Sequence, residues 1–302
     1  MMRAFRKKYV IVFLLILLSI SVTSELFAAT DGEATRELEV VFLDVGQGDS
    51  ILVTTPSGYR VLIDGGDGKG SFSRDQAEEV IIPYLRRAGI RKLDAVALTH
   101  PHFDHLGGLV SLLGNRKIKV GEVLDPGARY PSDDYLNFLR AVRDREEIRY
   151  IQPRPGDLLD WGPEVEVRVL GPLEESDNPN NASLVIKLTY GEISFLLTGD
   201  AEREAEEAMI RKWGFGLRST VLKAGHHGSA TSSSEEFLRY VSPRIAVIAV
   251  GEKNRFGHPS EETLERFSRR RVEVYRTDFR GTVTITTDGK ELRVKAAKEE
   301  RG

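Results

Sequence analysis

The feature that most constrains the fold is a crowd of potential metal ligands in one short segment, made up of His100, His102, Asp104 and His105. The segment follows the apolar run Leu93–Leu98 and precedes a glycine pair, so we expect a constrained turn that leaves a buried strand. Imidazole and carboxylate are the ligands of zinc and related divalent ions. Without a cation this crowding would be costly in a protein interior, because a buried charge must be compensated. A solvated surface turn is the alternative, and the flanking apolar strand disfavours it.

The other candidate ligands also follow predicted strands. The run Phe195–Leu197 leads through Thr198-Gly199 to Asp200, which is either a ligand or the cap of the helix that comes next. His226 and His227 follow the strand that ends at Lys223, and His258 follows the strand Ile245–Val250. All six histidines of the chain therefore lie beyond predicted strands. This distribution favours one shared site over a scatter of core or surface histidines.

Strand and helix signals alternate from residue 38 onward without a long break. The apolar runs predict strands at Leu38–Leu43, Ser50–Thr54, Arg60–Ile63, Leu93–Leu98, Val120–Leu124, Glu164–Leu170, Ser183–Thr189, Ile193–Leu197, Thr220–Lys223, Ile245–Val250, Val272–Tyr275, Thr282–Thr286 and Leu292–Lys295. Helical periodicity predicts helices at Gln76–Ala88, Leu106–Leu113, Asp134–Arg145, Glu202–Arg211, Ser234–Tyr240 and Glu261–Arg269. This order, without a glycine-rich dinucleotide motif, favours an α/β fold (α+β by some schemes) of stacked sheets with helices outside.

Residues 1–29 have the layout of an export signal. Four basic residues precede the apolar stretch Tyr9–Val22, and the small residues Ala28 and Ala29 follow. Leu26 or Phe27 would occupy the outer cleavage-site position, and both are bulkier than the favoured residue, so an uncleaved membrane anchor is the alternative. Residues 30–37 read as a polar linker to a single domain at 38–297. We therefore expect an exported protein, which is extracellular, periplasmic or anchored to the outer face of the cytoplasmic membrane.

Charge and composition exclude several functional classes. The chain contains no cysteine, which removes disulfides, thiolate zinc sites and cysteine nucleophiles. The net charge is −3, and because residues 1–29 carry +3, the rest of the chain carries −6. An acidic body is not typical of a protein that coats nucleic acid nonspecifically, so any contact with nucleic acid would be local. No feature indicates an obligate protein partner.

The motifs together resemble those of the metallo-β-lactamase superfamily, and within it the hydrolase domain of the ComEC family of competence DNA-uptake channels. They are DVGQGDS at Asp44–Ser50, IDGG at Ile63–Gly66, THPHFDHLGG at Thr99–Gly108, NNASLV at Asn180–Val185, LLTGD at Leu196–Asp200, KAGHHGS at Lys223–Ser229 and NRFGHP at Asn254–Pro259. The resemblance covers residues 38–297, nearly all of the expected mature chain. It implies a four-layer αββα sandwich with one or two divalent metal ions, Zn or Mn, at one edge of the sheets.

The resemblance also assigns the metal ligands. His100 and His102 would hold a first metal ion, Asp104 and His105 a second, and Asp200 would bridge them. One member of the pair His226-His227 would complete the second site, while the other would contact a phosphoryl oxygen of the substrate; His258 competes for the same late ligand role. Many relatives carry a further histidine before the strand predicted at Ser183. This chain has Asn180 and Asn181 there, which leaves the first metal ion short of a nitrogen ligand.

Catalytic and substrate roles follow from the same positions. Asp104 is expected to bind metal and orient a metal-activated hydroxide, and His227 is the second catalytic candidate. Asp64 is either a hydrogen-bond acceptor for a ligand histidine or a turn residue. The candidates for substrate binding are Asn181, Lys223, Asn254, Arg255 and His258. Lys223, Asn254 and Arg255 would equally be ordinary solvated surface residues.

The sequence thus predicts an exported, metal-dependent hydrolase, acting as a phosphodiesterase or a nuclease-like enzyme. The expected substrate contains a phosphodiester, such as extracellular DNA or a wall polymer, and the N-terminal segment would provide a membrane tether. Two alternatives stay open at this point. The first is a hydrolase of another ester, such as a choline-phosphate or a lactone, and the second is a non-catalytic metal-binding module associated with the cell wall.

Overall fold

Two mixed β-sheets form the centre of the protein, which we describe from a computed structural model covering residues 37–70, 74–127 and 129–298. In chain order the strands are β1 (Leu38–Phe42), β2 (Ile51–Thr54), β3 (Arg60–Ile63), β4 (Lys92–Ala97), β5 (Lys119–Leu124), β6 (Arg149–Ile151), β7 (Leu158–Leu159), β8 (Glu166–Gly171), β9 (Val185–Tyr190), β10 (Ile193–Leu197), β11 (Val221–Lys223), β12 (Ile245–Ile248), β13 (Glu273–Arg276), β14 (Val283–Thr287) and β15 (Leu292–Ala296). The first sheet has the strand order β15-β14-β1-β2-β3-β4-β5-β6 and the second has the order β13-β12-β11-β10-β9-β8-β7.

Helices lie against the outer face of each sheet. They are α1 (Ile82–Arg87), α2 (Phe103–Gly114), α3 (Asp133–Arg143), α4 (Arg203–Trp213), α5 (Glu235–Val241), α6 (Glu261–Arg269) and the single turn α7 (Thr277–Arg280). A π-helical turn, Ala77–Ile81, leads into α1, and short 3₁₀ turns occur at Pro179–Ala182, Gly214–Leu217 and Gly225–Gly228. The predicted helix at Gln76–Ala88 is therefore two joined pieces.

Apolar side chains fill three layers of core. Along β1, Val40 and Phe42 point between the two sheets, whereas Val41 packs toward the helices that cover the first sheet. This alternation follows from the two-residue period of a strand. A third cluster, which includes Leu196 and Phe237, lies between the second sheet and its helices. The resulting order of helices, sheet, sheet and helices confirms the predicted αββα sandwich.

Parallel strand pairing brings the candidate ligands to one edge. Strands β3 to β6 run parallel in the first sheet, and β10 to β13 run parallel in the second. In parallel strands all carboxyl ends face the same way, and ligand sites form beyond these ends. The segments that follow β4, β10, β11 and β12 carry the histidines and Asp200, and they meet there.

Some elements differ from the sequence-based expectations, and some expectations concern residues outside the described part of the chain. Helix α2 begins at Phe103, three residues before the predicted start, and the short strands β6 and β7 had no predicted counterpart. The expected signal or anchor at 1–29 and the linker through residue 36 lie outside the described residues. Among the residues that are described, no helix combines the length and the apolar character needed to cross a membrane.

Candidate functional site

The first ligand segment is held by the close packing of α2 on the loop after β3. His102 precedes the helix, so Asp104 and His105 occupy its first turn, where the helix dipole favours the negative charge of Asp104. A β-carbon on Gly107 would lie 2.2 Å from the amide nitrogen of Gly68, a distance that excludes any side chain there. The glycine pair in the motif therefore serves this close approach, which brings the helix next to the loop that carries Asp64.

One group of ligand atoms centres on His100 and His102. His100 Nε2 lies 3.0 Å from His102 Nδ1 and 3.8 Å from Asp200 Oδ2. Burial lowers the pKa of His100 well below its usual range and lowers that of His102 as well. Both rings are thereby kept neutral, which is the form that binds a metal ion.

A second group of ligand atoms lies beside the first and shares Asp200 with it. Asp200 Oδ2 is 3.3 Å from His105 Nε2 and 3.4 Å from His227 Nε2. His227 Nε2 is also 3.3 Å from Asp104 Oδ2. The Nε2 atoms of both histidines are buried and have no hydrogen-bond partner in the part of the chain that the structure describes. Buried polar atoms left without a partner are the arrangement that a bound cation would satisfy.

Hydrogen bonds on the far side of each ring fix these nitrogens in place. His105 Nδ1 lies 2.7 Å from Asp64 Oδ2, and Asp64 also accepts hydrogen bonds from the backbone amide and the hydroxyl of Thr99. His227 Nδ1 donates to the carbonyl oxygen of Ala249 at 2.8 Å. Such contacts orient a metal-binding imidazole and leave Nε2 facing the site. Asp64 therefore lies where the first of its two predicted roles requires, as the hydrogen-bond acceptor for the ring of His105.

The charges at the site are arranged to attract cations. Burial disfavours the protonated form of His105, but the carboxylates of Asp200 and Asp64 outweigh it and raise the pKa well above its usual range. Burial also lowers the pKa of His227, but the nearby carboxylates, mainly that of Asp200, outweigh this effect and raise the pKa of His227 to about 10. A divalent ion would displace these protons and take their place between the carboxylates. The donor atoms, their burial and their charge therefore fit a divalent metal centre.

Lys223 does not lie where a substrate phosphate could reach it. Its side chain is fully buried, and Nζ lies 2.5 Å from Asp49 Oδ2 and 3.5 Å from Asp200 Oδ1. Nζ also donates to the carbonyl oxygen of Gly199 at 3.0 Å. The expected phosphate contact is thus replaced by an internal ion pair behind Asp200. Sequence reasoning did not single out Asp49, although it belongs to the DVGQGDS motif.

The two adjacent histidines separate into different surroundings. His227 lies among the ligands, whereas His226 Nδ1 lies 2.8 Å from Glu202 Oε1 and its ring lines the open cleft. The side chain of His226 is 26% exposed, against 1% for His227. Only His227 is therefore placed to complete the second ligand group. Glu202 carried no signal in the sequence that marked it as a partner.

The cleft above the ligands has a volume of about 360 Å³. Its walls include Gln47, His102, Asp104, Tyr130, Asp134, Asp200, His226, His227, Phe256 and His258. The ring of His258 packs 5.2 Å from that of His226, measured between centroids, and burial lowers the pKa of His258 to about 4. His258 thus lines the cleft beside His226, the histidine that lies outside the second ligand group.

The remaining substrate candidates hold loops or lie at the rim. Asn181 accepts a hydrogen bond from the amide of Glu202 and donates to Glu204. Asn254 binds backbone groups of its own loop through both side-chain atoms, at 2.7 Å to the carbonyl of His258. The side-chain amides of both asparagines therefore hydrogen-bond within the protein, where the sequence had predicted contacts with substrate. Arg255 is exposed, and its guanidinium lies over the ring of Phe256 at the cleft mouth, 5.1 Å from the centroid.

Comparisons with known proteins find relatives of this chain by sequence. The chain is 37% identical to ComE operon protein 3 of Bacillus subtilis over 263 residues, which cover 82% of this chain and 33% of the relative. It is 33% identical to competence protein ComA of Neisseria gonorrhoeae, over 82% of this chain and 32% of that protein. The chain therefore spans about a third of the length of these curated relatives.

The fold and the family are shown independently of those relatives. The crystal structure of the metallo-beta-lactamase fold protein YhfI from Bacillus subtilis superposes with a TM-score of 0.56 at 12% identity, covering 83% of this chain and 100% of YhfI. The sequence profile of the metallo-beta-lactamase superfamily matches residues 43–252. A sandwich with His and Asp ligands at one sheet edge, a matching solved fold and a profile match over most of the chain give one conclusion. The chain belongs to the metallo-β-lactamase superfamily.

Proposed function

We propose that the chain is an exported metal-dependent hydrolase that cleaves phosphodiesters, with a nuclease-like substrate range. The observation that carries the proposal is the shared position of Asp200 Oδ2, which lies 3.8 Å from His100 Nε2 and within 3.4 Å of the Nε2 atoms of His105 and His227. Two neighbouring cation positions around one carboxylate suit the displacement of a group at phosphorus. The similarity to competence proteins supports the same choice.

Individual residues around this centre would have different roles in the proposed reaction. Bound divalent ions would polarise the phosphoryl group and supply a water that ionises near neutral pH. Asp104 is 26% exposed to the cleft and lies next to His227, so its carboxylate can orient the attacking water. Glu202 accepts a hydrogen bond from Nδ1 of His226. In the imidazolium form, in which both ring nitrogens carry a proton, the other nitrogen would donate to a phosphoryl oxygen.

A substrate panel tests the proposed reaction. We expect hydrolysis of bis(p-nitrophenyl) phosphate and single-stranded DNA with Mn²⁺ or Zn²⁺, and slow or no cleavage of the β-lactam nitrocefin. p-Nitrophenyl phosphocholine in the same panel distinguishes a choline-phosphate esterase. Cleavage of nitrocefin without phosphodiester hydrolysis would contradict the proposal, as would inactivity towards every member of the panel.

The pair His226 and His227 gives a prediction about metal content. His227→Asn is expected to remove about one equivalent of bound metal, because it takes a nitrogen from the second ligand group. His226→Asn is expected to keep the wild-type metal content and to lose about 10²-fold in kcat, the typical effect of losing a positioned proton donor. Elemental analysis after dialysis measures the first effect and steady-state kinetics the second. Loss of metal from His226→Asn alone would reverse the assignment.

Export is part of this proposal and rests on the basic and apolar layout of residues 1–29. Outside the cytoplasmic membrane, released or tethered by residues 9–22, the enzyme would meet extracellular DNA or wall polymers. Fractionation of the native host with N-terminal sequencing tests this. Full-length protein in the cytosol would contradict export, whereas full-length protein in the membrane would contradict only cleavage.

A further inference from the structure

The histidine pair in the metal centre has an unusual backbone conformation. His226 has φ 46° and ψ 50°, and His227 has φ 52° and ψ 27°, so two successive residues with side chains are left-handed. Left-handed residues other than glycine are energetically unfavourable and persist where the surrounding structure holds them. The position of His227 among the ligands therefore depends on contacts made by the residues that follow the pair in the sequence.

The next residues, which we call the Ser229–Ser234 segment, are tied to helix α6. Arg266 is only 4% exposed. Its Nη1 donates to the carbonyls of Ser232 at 2.8 Å and Ser233 at 3.4 Å, and its Nη2 donates to the carbonyl of Ala230 at 3.0 Å. Thr263, one turn earlier on α6, donates from Oγ1 to the carbonyl of Ser229 at 2.8 Å. Four carbonyls of the segment are thus held by buried donors on one helix face.

The same segment is tied to the chain that follows Asp200. Glu206 on α4 accepts hydrogen bonds from the backbone amides of Ser233 and Ser234. Ser232 Oγ donates to the carbonyl of Ala201 at 2.9 Å. The segment therefore connects the strand end that carries Asp200 with the histidine pair, and α6 supports it from the other side.

We propose that Arg266 is a positioning residue for the metal centre. It contacts none of the ligands, but it fixes the Ser229–Ser234 segment and, through it, the left-handed pair that presents His227 Nε2 to Asp104 and Asp200. Without the guanidinium, the segment loses its donors for three carbonyls, and the histidine pair can relax towards ordinary backbone angles. The inference concerns the affinity for metal, and it holds whichever bond the enzyme cleaves.

A matched pair of buried arginines makes the test specific. Arg145 is 3% exposed and likewise donates to backbone carbonyls, those of Leu113 and Ile118. Leu113 lies at the far end of α2 from Asp104, nine residues or about 14 Å along the helix. Arg145→Met therefore reproduces the loss of a buried guanidinium at a place that does not support the histidine pair.

The experiment measures Zn²⁺ affinity by competition with a chromogenic chelator, together with thermal unfolding of the metal-free full chain. Arg266→Met is expected to weaken Zn²⁺ binding about 10-fold, the lower end of the effect of removing groups that orient metal ligands. Arg266→Lys should recover part of the affinity, since an ammonium group can still donate to one carbonyl. Arg145→Met should lower thermal stability by a comparable amount and leave Zn²⁺ affinity within about twofold.

Several results would overturn the inference. Wild-type affinity in Arg266→Met, or an equal loss in Arg145→Met, would show a purely structural role for Arg266. If Arg266→Met does not fold, Thr263→Val decides the question. It removes the donor to Ser229 and the acceptor for Ser260 Oγ but leaves the guanidinium contacts in place, and it should still weaken Zn²⁺ binding about threefold. Unchanged affinity in Thr263→Val, or no binding of Zn²⁺ by the wild type, would contradict the inference. Phosphodiester hydrolysis is a separate measurement, so failure of the proposed function would be recognised independently.

Discussion

Asp104→Asn is expected to slow hydrolysis of bis(p-nitrophenyl) phosphate at least about 100-fold while leaving the fold intact. The amide keeps the shape of the side chain but removes the negative charge that faces His227 Nε2 at 3.3 Å. It also loses one of the two carboxylate oxygens that could hold a cation or accept a proton from the attacking water. Steady-state kinetics at saturating Mn²⁺ and at saturating Zn²⁺ measure the effect.

A neighbouring carboxylate provides the control for this variant. Asp134 lines the same cleft from the start of α3 and is exposed, but it belongs to neither ligand group. Asp134→Asn should change kcat by less than about threefold, as expected for a substitution away from the ligands. Near-normal turnover in Asp104→Asn would place the active site elsewhere. An equal loss in Asp134→Asn would indicate a general effect of cleft charge.

The position of the site could be predicted from sequence because its ligands occur in short runs after apolar strands. His100, His102, Asp104 and His105 needed no knowledge of distant contacts, since six residues and one preceding strand contain them all. The strand-end position of Asp200 was equally visible. Parallel strands then bring such segments to a common edge whatever the details of the loops.

The contacts behind the ligands could not be predicted in the same way. Lys223 and Asp49 form a buried ion pair across 174 positions of sequence, and a lysine in an apolar strand gives no sign of its partner. The distinction between His226 and His227 depends on their left-handed backbone and on Glu202, neither of which the residue types reveal. Tertiary packing determines these features, and the hydrophobic periodicity of the sequence predicts strands and helices but not such contacts.

Lys223→Met is expected to lower the free energy of unfolding of the metal-free protein by about 3–5 kcal/mol at pH 7. Lys223 is fully buried and supplies the cation between Asp49 and Asp200. Burial alone would raise the pKa of Asp49, but Lys223 outweighs it and the pKa is lowered, so the carboxylate is ionised in the folded protein. Methionine fills similar space and leaves both buried carboxylates without that cation. Denaturant unfolding with chelator present gives the value.

A second lysine in the same sheet provides the control, because its replacement shows what the loss of a lysine without a buried ion pair costs in stability. Lys187 on β9 is half-buried, and its Nζ donates only to the carbonyl of Gly216 among the described residues. Lys187→Met should therefore cost about 1 kcal/mol, the usual worth of one hydrogen bond. Saturating Zn²⁺ should reduce the loss in Lys223→Met, because a cation at the ligand groups compensates Asp200, while Asp49 keeps only its contact with His227 Nδ1 at 3.4 Å. A loss below about 1 kcal/mol in Lys223→Met would show that the buried pair contributes little to stability, and that the charge of Asp200 is balanced by the histidines alone.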